Sequence, residues 1–190
     1  MDILTAFGLS ASAGLNAYIP LLVVSLLAKF TDLYQLSEPW MALESWWTIG
    51  VLVLLAGVEF FADKVPAVNH INDIVQTFIR PTAGAVLFAA STSVVSDLEP
   101  VVALILGLFV AGSVHAVKTG AVRPAVTATT GGAANVPVSI AEDVVSTTLS
   151  VLAAVAPVII ATLMVLVTAL IVWWIWRRIN AGRPKNSYKG

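Results

Sequence analysis

The sequence predicts an all-α polytopic membrane protein, a bundle of about six transmembrane helices with room for broken or re-entrant helices and an internal repeat. Three observations carry that expectation. The 190 residues are 58% apolar and only 11% charged, with a mean hydropathy of +0.92, far from the balance of a soluble globular domain. Apolar runs able to cross a hydrocarbon core of about 30 Å recur from end to end, so residues 1–178 read as one membrane domain and 179–190 as a short basic tail. Nine of the ten Lys and Arg residues fall on one side of the resulting pattern.

In chain order, spans are expected at Ile3 to Ala28, Trp47 to Ala62, Thr82 to Val95, Pro100 to Val117, Ser139 to Val155 and Pro157 to Trp176. The first lacks a basic segment ahead of it and is too long for a signal-peptide core, so it is expected to persist. Trp40, Trp46 and Trp47 mark the outer end of span two, and Trp173, Trp174 and Trp176 the inner end of span six, at the headgroup level that Trp favours. Between spans two and three, Val68, Ile71, Val75, Phe78 and Ile79 recur at helical spacing. Asn69, His70, Asn72, Asp73 and Gln76 lie opposite them, the pattern of an amphipathic helix on the inner interface.

Span three is filled with small residues (Ala83, Gly84, Ala89, Ala90, Ser91, Ser93), and Ala103, Gly107 and Ala111 recur every four residues along span four. Both patterns point to tight packing within the bundle rather than to a dedicated dimer motif. Thr119 to Pro137, nearly uncharged and rich in Thr, Gly and Ala, reads as a loop, with a re-entrant segment lining a cavity as the alternative. Ser139 to Glu142 has the S-x-x-E form of a capping box and is expected to start the helix of span five.

Orientation follows from charge. Arg177, Arg178, Arg183, Lys185 and Lys189 crowd the tail, and positive charge in short loops marks the cytoplasmic face. Six crossings in a bacterial inner membrane would leave both termini in the cytoplasm, together with Lys64, Arg80, Lys118 and Arg123. Lys29, Asp32, Glu38, Glu44, Asp97 and Glu99 would lie outside.

Two echoes run through the sequence. Gly14, Asn16 and Pro20 are matched by Gly132, Asn135 and Pro137, both combinations suited to interrupting a helix. Arg80–Pro81 is matched by Arg123–Pro124. A repeat near residue 97 would invert one half against the other, as in many secondary transporters, although spans one and five run in the same direction in this scheme.

Ionisable side chains inside a bilayer need partners or a purpose, and here they gather at the inner ends of the spans. Glu59, Asp63 and Lys64 close span two, Asp73 and Arg80 flank the amphipathic piece, His115 and Lys118 close span four, Arg123 follows, and Glu142 and Asp143 open span five. Glu59 and Asp63 share one helical face and would repel unless a cation such as Lys64, Arg80, Lys118 or Arg123 intervenes. These charges could simply snorkel to the interface, and Glu142 and Asp143 suit a helix N-terminus. The functional reading is a polar cavity open to the cytoplasm that takes an ion or a small charged solute, with Asn16 and Asn135 at the helix breaks.

Other classes are disfavoured. The absence of Cys removes disulfides and thiolate sites, two distant histidines make a His-based metal site weak, and no nucleophile, phosphate-loop or metalloprotease motif is present. No cofactor is expected. A net charge of −1 gives no reason to expect nucleic acid. The partners are the lipid bilayer and the ion or solute, and the small-residue faces leave room for a homo-oligomer or a larger membrane complex. In the complex, the protein would be a non-catalytic assembly subunit.

Glu59 to Pro66, reading E-F-F-A-D-K-V-P, then Asp73, Thr77, Arg80, Pro81 and Gly84, and S-I-A-E-D at Ser139 to Asp143, resemble the domain-of-unknown-function 4126 family of small polytopic membrane proteins. The resemblance covers Gly8 to Ala156. It implies the membrane architecture and the importance of these polar residues without naming a substrate.

Overall fold

In the computed structural model, which describes residues 3–32, 34–64, 66–92 and 98–181, the chain is helical, with no strand among the described residues. Helix α1 spans Ile3–Leu15, α2 Tyr18–Phe30, α3 Trp46–Ala62, α4 Pro66–Thr92, α5 Pro100–Val117, α6 Arg123–Thr130, α7 Asn135–Val155 and α8 Pro157–Ala181. A 3-10 turn at Trp40–Glu44 precedes α3, and a π-helical turn at Lys118–Val122 joins α5 to α6. Three runs are long and apolar enough to cross a membrane: Ile71–Thr92, Pro100–Thr130 and Asn135–Val155, while α1, α2 and α3 are apolar but shorter. The basic tail with Arg183, Lys185 and Lys189, and also Asp97 and the expected end of span three at Val95, lie outside the described residues.

The expected first span is two helices running in opposite directions. α1 is antiparallel to α4: Phe7 packs edge-on against Phe88 at 5.0 Å, and further along Ser10 Oγ donates to the Gly84 carbonyl at 2.8 Å. α2 is parallel to α4: Tyr18 lies beside Gln76, and beyond Phe30 the Tyr34 hydroxyl meets Ser91 Oγ at 2.5 Å. The polypeptide therefore reverses at Asn16–Ala17. The Asn16 side chain makes that reversal, because its Oδ1 accepts from the backbone N–H of Tyr18 (3.1 Å) and of Ile19 (3.0 Å), the orphan donors at the start of α2.

α4 corrects a second expectation. The amphipathic piece and span three form one continuous helix, with Pro81 inside it. Its pattern is inverted relative to a water-soluble helix: Gln76 and Arg80 are buried, whereas Ile71, Ile74, Val75 and Phe78 are exposed. Apolar outside and polar inside is the pattern required of a helix whose surroundings are hydrocarbon.

Thr119 to Pro137 is helical rather than a loop. The π turn and α6 continue α5, and the chain turns back at Gly131 and Gly132, whose φ values of 61° and 90° favour glycine. α7 then begins at Asn135, one turn before the expected capping box, so Ser139 lies inside the helix and caps nothing.

Small residues hold the centre together. Ala103, Gly107, Ala111 and His115 form the buried stripe of α5. A Cβ added to Gly107 would sit 2.6 Å from the Phe88 Cβ and 2.7 Å from the Ala85 Cα, and one added to Gly14 would lie 2.6 Å from the Ala111 carbonyl oxygen. Helices α1, α4 and α5 therefore touch backbone to backbone. On the other side of α1, Ser12 Oγ meets Ser146 Oγ at 2.9 Å and Ser150 Oγ at 2.7 Å on α7.

Candidate functional site: a buried ion-pair network

The C-terminal ends of α1, α3 and α5, the start of α2 and the N-terminal parts of α4 and α7 meet at one end of the bundle, and the charged side chains meet with them. Arg80 Nη2 donates to Glu59 Oε1 at 2.8 Å and lies 3.7 Å from Asp63 Oδ2. Arg123 Nη2 reaches the same Asp63 oxygen at 3.3 Å and Glu142 Oε2 at 3.4 Å, while its Nη1 pairs with Asp73 at 3.3 Å. The two Arg–Pro echoes of the sequence thus converge on one carboxylate. Lys118 pairs with Glu142 at 2.8 Å, and Lys64 with Asp143 at 3.2 Å.

The hairpin tip is joined to this network from both of its ends. Lys118 Nζ donates to the Leu15 carbonyl at 3.0 Å, satisfying the C-terminus of α1, and Asn16 Nδ2 donates to Asp143 Oδ1 at 3.0 Å. One asparagine therefore caps α2, reverses the chain and binds an acid of α7.

Burial grades across the cluster. The side chains of Arg80, Glu59 and Asp63 are 0%, 1% and 3% exposed, whereas Asp143, Lys64 and Asp73 form a rim at 14%, 15% and 21%. Asp63, one residue past α3, also accepts from Asn72 Nδ2 at 2.6 Å and from Ser139 Oγ at 3.4 Å. Burial alone would raise its carboxyl, but Lys118, Arg123 and Arg80 together with the Asn72 hydrogen bond outweigh that and hold it below its ordinary value of 3.8.

His115 sits on the far side of Arg80, and its hydrogen bonds assign its tautomer. Thr77 Oγ1 donates to the Asp73 carbonyl at 2.8 Å, so it accepts from His115 Nε2–H at 3.2 Å, leaving Nδ1 to accept from Arg80 Nη1 at 3.4 Å. The ring is neutral in this arrangement. Four buried polar atoms of the cluster, Glu59 Oε2, Asp73 Oδ1, Gln76 Oε1 and Arg80 Nε, have no hydrogen-bond partner in the structure.

Eleven of the twelve expected site residues therefore belong to one network. Asn135 does not: it exchanges a hydrogen bond of 3.3 Å with Thr127 across the α6–α7 turn. Reading the spans missed Tyr18, Asn72 and Gln76 as members, while Thr77 and Ser139 were marked only by the family resemblance. Asn72, Gln76 and Arg80 recur every four residues, a signal that could have been read as one inward stripe.

In place of the expected open polar cavity, the interior of the network is closed. The cleft beside it, about 490 Å³, lies between α5, the π turn and α7 and is walled by Val114, Val117, Val122, Val138 and Val145. Lys118 and Glu142 are the network members that reach it.

Apolar outer faces around a sealed core of paired charges define an all-helical protein of membrane type. A family model described as a domain of unknown function (DUF4126) matches residues 3–177, and the chain belongs to that family. No curated protein and no solved structure matches it.

Proposed function

We propose that this is a small integral membrane protein of transporter or channel-like type, which admits an ion or small charged solute to the buried network. The observation that carries the reading is the tip of the α1–α2 hairpin, where a helix C-terminus and a helix N-terminus both end on the charged cluster. Discontinuous helices meeting at charged side chains inside a bundle are how secondary transporters build their sites. A merely interfacial set of charges would be exposed, and Glu59 and Arg80 are not.

The positive-inside rule puts the network end, with Lys64, Arg80, Lys118 and Arg123, toward the cytoplasm of a bacterial inner membrane, and Lys29 on the other side. In that orientation α1 and α2 form a re-entrant hairpin that enters from the exterior, each leg about 20 Å long for 13 residues. The crossings are then α3, α4, α5, α7 and α8. Five crossings place the N-terminus outside and the basic tail inside, in contrast to the even count read from hydropathy. An assembly subunit has less support, because the stripe of Ala103, Gly107 and Ala111 is consumed within the bundle.

The test is electrical. Proteoliposomes of the purified protein, given gradients of protons, sodium, potassium or chloride in turn, should pass current above that of empty liposomes. Glu59→Gln should reduce it to background while yield and folded fraction stay near wild type. A fully active variant would remove the network from the conducting path.

A further inference from the structure

We propose that the network binds a proton, carried on Glu59 Oε2, with the Gln76 carboxamide as its hydrogen-bond acceptor. The inference deepens the transport reading by naming the ion, and the binding step can be tested apart from transport. It starts from a charge count: Glu59, Asp63, Asp73, Glu142 and Asp143 are five acids, Lys64, Arg80, Lys118 and Arg123 are four cations, and His115 is neutral in its assigned tautomer, leaving one negative charge in excess.

The pairing locates that excess. Asp143 has Lys64 and Glu142 has Lys118, so Glu59, Asp63 and Asp73 share Arg80 and Arg123, and the excess lies among these three, of which Glu59 is the most deeply buried. Glu59 Oε2 and Asp73 Oδ1 are both buried without a hydrogen-bond partner, but the Asp73 side chain stands at the rim, 21% exposed, whereas that of Glu59 is 1% exposed. A buried charge short of a partner is costly, and protonation removes it. Protonation also turns Oε2 from an acceptor into a donor. Gln76 Oε1, one helical turn from Arg80, is a buried acceptor without a donor, and Tyr18 neighbours both Glu59 and Gln76.

The charged and titratable groups around Glu59 are Arg80 from α4, Asp63 from its own end of α3, Tyr18 from α2 and Lys118 after α5, with His115 behind Arg80. This set favours a proton over the other small ions. Among the described residues no three His, Asp or Glu side chains converge to hold a metal ion, and Glu59 Oε1 is already taken by a guanidinium. An anion would face Glu59 and Asp63 wherever it approached Arg80. Exposure rises from Glu59 through Asp63 to Asp73, so the proton arrives from the network end.

Infrared difference spectra of the protein in liposomes, recorded through steps from mildly alkaline to mildly acidic pH, test the binding. A protonated-carboxyl C=O band is expected in wild type, retained in Asp73→Asn and lost in Glu59→Gln. No such band, or one that survives Glu59→Gln, would overturn the proposal. Gln76→Leu provides a second check that leaves Glu59 in place: the band should persist and move to higher frequency as its hydrogen bond is lost, and an unmoved band would refute the pairing. Current measurements on the same liposomes separate the two readings. The Glu59 band without current retires transport and keeps the proton site, and current without the band does the reverse.

Discussion

Arg80 decides how the charged cluster behaves. Its guanidinium is fully buried and touches Glu59, Asp63 and His115. Removing one partner from such a cluster leaves an uncompensated buried charge, which costs about 3–5 kcal/mol. Arg80→Leu should therefore lower thermal stability in detergent by that order, and adding Glu59→Gln should restore part of it. If the double variant unfolds as readily as the single one, the Arg80–Glu59 pair is not the stabilising contact. The sequence made most of this cluster legible, because Glu, Asp, Lys and Arg are rare in apolar spans and stand out. Gln76 and Tyr18 did not stand out, since amides and phenols are ordinary at membrane interfaces and only the fold shows which way they face. Asn135 misled for the opposite reason: its glycine and proline neighbours match those of Asn16, yet it caps a turn that carries no charge.

At the level of elements, close backbone contact dominates. Gly107→Ala should push α4 from α5 and cost about 1–3 kcal/mol, the usual range for overpacking. Gly57→Ala, where an added Cβ meets nothing within 4 Å, should be neutral or stabilising by up to about 1 kcal/mol through helix propensity. Comparing melting temperatures of the two variants checks both, and equal shifts would contradict the packing account. α3 and α5 were readable nearly to the residue from their apolar runs. The breaks at Asn16 and Gly132 were also visible, since Gly, Asn and Pro punctuate both. The direction taken after a break was not: hydropathy is the same whether a helix continues or doubles back. α4 was split in two because its first half is amphipathic, and periodicity alone does not tell a polar face that looks at water from one that looks at an ion-pair core. The S-x-x-E string was misread because Ser139 and Glu142 each had a tertiary partner, Asp63 for one and Lys118 with Arg123 for the other.

For the whole molecule, the proposed re-entrant hairpin of α1 and α2 makes the number of crossings odd. Because the natural chain has no Cys, single cysteines can report sidedness without background. In intact cells a membrane-impermeant maleimide should label Ile3→Cys and Met41→Cys, and it should label Thr129→Cys only after permeabilisation. Protection of Ile3→Cys in intact cells would restore an even count of crossings and undo the re-entrant hairpin.

The short link between α3 and α4 has a consequence for biosynthesis. A lone arginine at mid-helix resists entry into hydrocarbon by about 2.5–3.5 kcal/mol on insertion scales. Glu59 is the acid closest to Arg80 in space and lies on the helix made immediately before it. The nascent polypeptide can thus enter lipid as a two-helix unit whose opposite charges already neutralise each other, before α5 and α7 emerge to enclose them.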